Sequence, residues 1–316
     1  MDKSELGKTG LEVSVAALGA GGSSRLGQAH GASEAHSISL IHRAHELGVT
    51  LIDTAAAYGT EEIVGKAVNG RRAEYVIATK LPATGSFKST QLLNGEEFTK
   101  HFEECLTRLR TDYVDIMFVH GVSVQQYPHV KNELLPVLAR LREQGKLRFT
   151  GITEHFNADT THEALSIVVR DALVDVIMVG FNLVNQTAAR ELLPAARAAG
   201  IGTLDMFAVR GSLARLESTR KLVAKLIELG EVEPGLVDIE DPLGFLVSDE
   251  IADSLSEAAY RFCRHTSGID VVITGTGSRN HLEENLSAIS GLPLPAPAVV
   301  RLQTIFSGVH SHTAEL

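Results

Sequence analysis

Short aliphatic runs recur along the whole chain and alternate with amphipathic stretches. Eight of the runs have strand character, at 13–18, 49–53, 75–79, 114–119, 148–152, 174–179, 202–206 and 270–274. Continuous Val/Ile/Leu runs of this kind suit parallel strands buried on both faces. In the first intervening stretch, Ile38, Ile41, Ala44 and Leu47 share one helical face, and the pattern stops at Gly48. Residues 60–68 start with Thr60 as an N-cap and Glu61 and Glu62 in the first turn. The stretches 134–144 and 190–199 end at Gly145 and Gly200 in the same way. Eight strand–helix units without a Pro/Ser-rich linker predict an α/β fold, a single (β/α)8 TIM barrel over 1–316, rather than a doubly wound sheet. Residues 6–14 read as an N-terminal β-hairpin turning at Thr9-Gly10. Two places carry extra length. One is 211–249, with a charged helix at 219–229; the other is the tail after Pro293, expected to wrap across a barrel end.

Composition narrows this picture. Of 316 residues, 44% are hydrophobic but only 5% aromatic, with no Trp, so aliphatic side chains must fill the core. Mean hydropathy is +0.07. A net charge of −10 and the lack of a Lys/Arg stripe argue against nucleic acid as a partner. The N-terminal Met1-Asp2-Lys3-Ser4-Glu5 has no apolar leader, and no stretch has membrane-span length, so a cytoplasmic protein with no membrane partner is expected. Cys105 and Cys263 are expected to be reduced core thiols. Oligomeric state is not readable from the chain.

Candidate chemistry lies just after the strand-like runs, where barrel enzymes place it. Asp53 and Tyr58 follow the run 49–53, Lys80 follows 75–79, and His120 follows 114–119. Taken singly, each has an ordinary explanation: an N-cap, a wall residue, a solvated amine, a structural imidazole. Together, a phenol, an amine, a carboxylate and an imidazole can build a proton donor of tuned pKa. The string D-T-A-x-x-Y-G at 53–59, then Thr79-Lys80, then Val119-His120 closing a Y-V-D strand, closely resembles the aldo-keto reductase family. The opening L-G-x-T-G-L-x-V-S at 6–14 resembles the family's barrel-floor hairpin. The resemblance implies an NAD(P)H-dependent reductase of an aldehyde or ketone, with Tyr58 as general acid, Lys80 and Asp53 tuning it, and His120 orienting the carbonyl. It also implies that Lys80 draws the Tyr58 pKa down.

The resemblance assigns cofactor contacts residue by residue. Thr153 keeps a hydroxyl for the carboxamide, while Glu154 stands where many relatives have Asn. Met178 replaces a Gln that usually grips the carboxamide. Met206 or Phe207 would stack on the nicotinamide, Arg210 could reach the pyrophosphate, and Gly21 and Gly22 would lie near the nicotinamide ribose. Gly275, Thr276, Gly277, Arg279, Glu284 and Asn285 match the stretch that carries the adenosine end. The two basic residues that clamp a 2′-phosphate in NADPH-preferring relatives align with Gly275 and His281, leaving Arg279 to substitute. NADP(H) is the cofactor implied, with NAD(H) the alternative. Arg25, Tyr58 and His120 would meet the small-molecule carbonyl or alcohol. Gly121 stands where many relatives carry Trp, which implies a larger pocket.

Other signals carry less. Leu18-Gly19-Ala20-Gly21-Gly22 faintly matches a dinucleotide fingerprint, but Ser24 stands at the third glycine position and no helical stripe follows. His129, His155, His265, His310 and His312 lack ligand spacing with a carboxylate, so no metal is expected. Two other functions fit the same residues: an NAD-dependent sugar or polyol dehydrogenase, and a nucleotide-binding regulatory barrel without significant turnover.

Overall fold

A computed structural model describes residues 1–315. Eight parallel strands close into a barrel in the order β10-β3-β4-β5-β6-β7-β8-β9. They are β3 (Ala16–Gly19), β4 (Leu51–Asp53), β5 (Val76–Pro82), β6 (Val114–His120), β7 (Leu147–Thr153), β8 (Val176–Gly180), β9 (Gly202–Met206) and β10 (Val271–Thr274). The fold is the (β/α)8 barrel that the alternating runs predict. An antiparallel pair, β1 (Lys3–Glu5) and β2 (Glu12–Ser14), precedes it. Leu6, Leu11 and Val13 of this hairpin join the barrel's inner cluster, so they plug one end of it. The predicted first strand, 13–18, is divided at Val15: its start belongs to the hairpin and its remainder to the barrel.

The helical layer comprises α1 (Glu34–Glu46), α2 (Glu61–Ala67), α3 (Gly95–Leu109), the single turn α4 (Tyr127–His129), α5 (Leu135–Glu143), α6 (Glu163–Asp171), α7 (Leu192–Ala199), α8 (Leu216–Glu228), α9 (Leu255–Arg264), α10 (Arg279–Ile289) and α11 (Ala296–Ile305). A π-helical segment, Val130–Leu134, joins α4 to α5. The extra length at 211–249 carries charged α8, and α9 follows it and packs on α10. Thr60 stands at the N-cap of α2 as expected, but its side chain makes no capping bond and its hydroxyl lies 3.0 Å from that of Thr54. No helix among the described residues is long and apolar enough to cross a membrane.

Strand register decides which side chains enter the barrel. Asp53 pairs with Ala78, Lys80 with Phe118, Phe118 with Gly151, and Thr153 with Met178. Side chains alternate along a strand, so Asp53, Lys80, His120, Thr153, Met178 and Met206 all share the inner face with Ala78, Phe118 and Leu204. Where the strand continues, the next residue faces the helices, as Leu81 and Val179 do. Gly151 has a packing reason: a Cβ there would come within 2.3 Å of the Phe118 ring that fills the interior.

Candidate active site

Asp53, Lys80 and His120 end three adjacent strands, β4, β5 and β6, at the barrel's C-terminal face. Lys80 is 1% exposed and donates to both Asp53 oxygens, at 2.5 and 2.6 Å, and to the Thr54 carbonyl at 3.0 Å. Its remaining reach is to the Tyr58 phenol, at 3.4 Å. Tyr58 arrives on a one-turn helix, Ala56–Tyr58, that ends at Gly59 with φ 71°. The Tyr58 and His120 rings meet edge to face, with centroids 5.8 Å apart. The four residues singled out in the sequence therefore form one cluster.

Their electrostatics follow from burial. Burial alone would push the Lys80 ammonium down, but the Asp53 carboxylate and Tyr58 oxygen outweigh it and hold the amine protonated. Burial pushes the Tyr58 phenol above its ordinary value, and Lys80 only partly offsets this. The net shift is thus opposite to the downward one the resemblance implies, because desolvating a phenolate costs more than one ammonium returns. His120 is pushed well below the usual imidazole value by burial, then by Lys80 and His155, so it stays neutral near pH 7. Among the described residues its buried Nδ1 has no hydrogen-bond partner. A protonated phenol beside a neutral imidazole and a fixed ammonium can give a proton to an oxygen that is gaining negative charge.

The expected cofactor residues divide into two groups. Thr153 faces inward, and its hydroxyl accepts from the Gly121 amide at 2.8 Å, leaving its own proton to donate. Met178 is buried among the barrel's inner apolar residues, and Met206 packs at the edge of that cluster. Phe207 is 39% exposed at φ 75°, with the Arg210 guanidinium 4.1 Å from its ring centroid. Arg210 donates to Asn157 at 2.8 Å and pairs at 2.6 Å with Glu315 of the C-terminal tail. That tail lies over the loops after β8, where Asn182 and Asn185 donate to the carbonyls of Thr313 and His312.

Glu154 departs from its expected place. It follows inward-facing Thr153, so the alternation turns it outward, where both its oxygens lie 2.9 Å from His162 Nδ1 and one accepts from the Gly180 amide. Several of the glycines have a close-packing reason of their own. A Cβ at Gly21 would lie 2.4 Å from the Tyr58 ring, and one at Gly277 would lie 2.6 Å from Gly27 Cα. At Gly275 it would lie 2.9 Å from the Gly19 carbonyl oxygen, whereas Gly22 faces open space. Thr276 accepts from the Ser278 amide. Arg279 pairs at 3.1 Å with Glu283, which also holds Arg43. Asn285 donates to Thr274, while Glu284 is exposed on α10.

Arg25 donates to the Tyr58 carbonyl at 3.4 Å from a backbone with φ 46°, followed by Leu26 at φ 56°. Gly121 does not leave the larger pocket its small size suggests. Phe87, which the sequence reading passed over, lies there: a Cβ at 121 would be 3.0 Å from its ring. A surface groove lined by Arg197, Arg261, His265 and Leu294 lies on the helical layer and contains none of these residues.

The helix α10 and Phe207 fit a dinucleotide. Ser278 caps only the His281 amide, which leaves the Arg279 and Asn280 N–H groups free, among the described residues, at the start of an 11-residue helix. Phe207 is partly exposed, with the Arg210 guanidinium over its ring and Phe156 stacked near it at 6.3 Å between centroids.

A closed parallel barrel with a buried Asp–Lys pair beside a Tyr and a His at its C-terminal face defines a class of barrel oxidoreductases. The sequence profile of the Aldo/keto reductase family matches residues 17–305, and the chain belongs to that family. It is 29% identical over 299 residues to L-galactose dehydrogenase of Arabidopsis thaliana, covering 91% of this chain and 88% of that one. It is also 29% identical over 334 residues to aldo-keto reductase YhdN of Bacillus subtilis (strain 168), covering 98% and 95%. The fold is shared with aldo-keto reductase AKR11C1 from Bacillus halodurans in its holo form, with a TM-score of 0.72, 21% identity, and coverage of 99% and 97%.

Proposed function

We propose that this oxidoreductase reduces an aldehyde or ketone to an alcohol with NAD(P)H, with Tyr58 as the proton donor. The observation that carries the reading is the Asp53–Lys80–Tyr58–His120 cluster at the ends of adjacent strands. The reduced nicotinamide, when bound, supplies the hydride. Thr153, Phe207, Arg210 and the start of α10 would hold the dinucleotide. His120, neutral, donates a hydrogen bond to the substrate carbonyl and orients it without giving up its own proton. Tyr58 transfers its phenolic proton to the carbonyl oxygen as the carbon becomes an alcohol carbon. Lys80, fixed by Asp53, steadies the phenolate that remains until solvent reprotonates it.

A second reading, an NAD-dependent dehydrogenase of a sugar or polyol, is supported by two observations. Arg279, the cation proposed to meet a 2′-phosphate, is already paired with Glu283. A 2′-phosphate there would have to displace a carboxylate, which favours NAD(H) over NADP(H). The similarity to L-galactose dehydrogenase points the same way. Initial rates measured at 340 nm with NADH and NADPH over an aldehyde and ketone panel, and with NAD+ and NADP+ over sugars and polyols, separate the two readings. No absorbance change with any compound would sink both.

A further inference from the structure

The loop joining β5 to α3 carries one large apolar side chain to the mouth of the site. Its neck is closed by the Leu93 amide donating to the Ala83 carbonyl at 2.9 Å, and Gly85 turns back on Pro82 at 2.8 Å. Within it, the Thr84 hydroxyl and the Ser89 amide both donate to the Ser86 carbonyl. Phe87 thus projects from a closed, self-bonded loop, yet it remains 51% exposed. Its ring stands edge-on to His120, with centroids 4.8 Å apart at 72°, and 6.4 Å from the ring of His155. Gly121, at φ 64°, leaves the room it occupies. His155 is exposed, and among the described residues its ring nitrogens have no hydrogen-bond partner.

An exposed phenyl beside the carbonyl-orienting imidazole, with a free imidazole next to it, offers an apolar face and a polar edge together. A linear aldehyde uses little of that face. A saturated ring bearing hydroxyls uses both, its C–H face on Phe87 and a hydroxyl on His155. We infer that Phe87 and His155 form the substrate-selecting wall of this site and that it takes cyclic, hydroxylated carbonyl compounds or the corresponding cyclic polyols. The inference rests on the function proposed above and adds the substrate class to it.

The test uses the full-length protein with saturating dinucleotide and three ketones: hydroxyacetone, cyclohexanone and 2-hydroxycyclohexanone. Wild type should prefer 2-hydroxycyclohexanone to both others in kcat/KM. Phe87→Ala should lower the ratio of 2-hydroxycyclohexanone to hydroxyacetone about tenfold, through KM rather than kcat, as expected for losing about half of a phenyl ring's burial. Phe87→Tyr should keep that ratio. His155→Ala should instead collapse the preference for 2-hydroxycyclohexanone over cyclohexanone. Quenching of protein-bound NAD(P)H fluorescence on each variant shows that the dinucleotide site is intact. Turnover with both ratios unchanged in the variants overturns the wall, leaving the proposed function standing. Turnover of none of the three ketones by wild type, with dinucleotide bound, overturns the substrate class, and failure across the wider carbonyl and alcohol panel overturns the function itself.

Discussion

Replacing Asp205 by Asn should make the protein's stability less sensitive to pH, with a sign that burial dictates. Asp205 lies on β9 between inward-facing Leu204 and Met206, so the alternation turns it out against α9. It is 0% exposed, among the described residues neither of its oxygens finds a hydrogen-bond partner, and the Cys263 thiol and the Phe181 backbone lie near it. Burial pushes its carboxyl well above the ordinary value, and those neighbours offset this only in part. The unfolded chain loses this proton near pH 4, whereas the folded protein keeps it to higher pH. Folding therefore takes up a proton: the stability is fully present below the unfolded pKa and is lost as pH rises towards the folded one. The loss runs at up to about 1.4 kcal/mol per pH unit. Asn cannot ionise and carries no such slope, although its own unpartnered amide adds a roughly constant penalty of about 1–3 kcal/mol. Urea unfolding followed by circular dichroism at pH 5, 6 and 7 reads the difference between Asp205→Asn and wild type. That difference should move in the variant's favour by up to about 2.7 kcal/mol from pH 5 to pH 7. A flat difference, or one that moves towards wild type, would refute the reasoning.

Three further predictions concern the dinucleotide. Glu315 occupies Arg210 from the C-terminal tail at 2.6 Å, with its own side chain 51% exposed. Glu315→Gln should tighten NAD(P)H binding about two- to fivefold by freeing the guanidinium, read by fluorescence titration; weaker binding would show that the tail supports the site instead. Glu283→Gln should improve NADPH affinity more than NADH affinity, and Arg279→Ala should weaken NADPH more than NADH. Equal effects on the two nucleotides would remove Arg279 from any 2′-phosphate contact.

Much of the barrel was legible because its signal is repetitive: aliphatic runs separated by helices that end at Gly48, Gly145 and Gly200. The proton-donor cluster was legible because its four residues close strands that lie side by side. Glu154 was not, because family alignment says nothing of which way a side chain turns, although one residue of alternation past Thr153 would have sent it outward. Gly21, Gly275 and Gly277 read as a ligand's glycines, yet each also admits a close approach by Tyr58, Gly19 or Gly27. Phe87 carried no motif, and a loop sequence does not disclose what its tip touches. Lys80 does draw the Tyr58 pKa down, but burial, a property of the assembled barrel, outweighs it.

The most direct test of the proposed chemistry is Tyr58→Phe, which removes one oxygen at the centre of the cluster and keeps the ring that packs on Gly21 and His120. Steady-state reduction and NAD(P)H fluorescence titration are measured on the same protein. The account predicts a fall in kcat of at least about a hundredfold with dinucleotide affinity nearly unchanged. Wild-type turnover in Tyr58→Phe would contradict it.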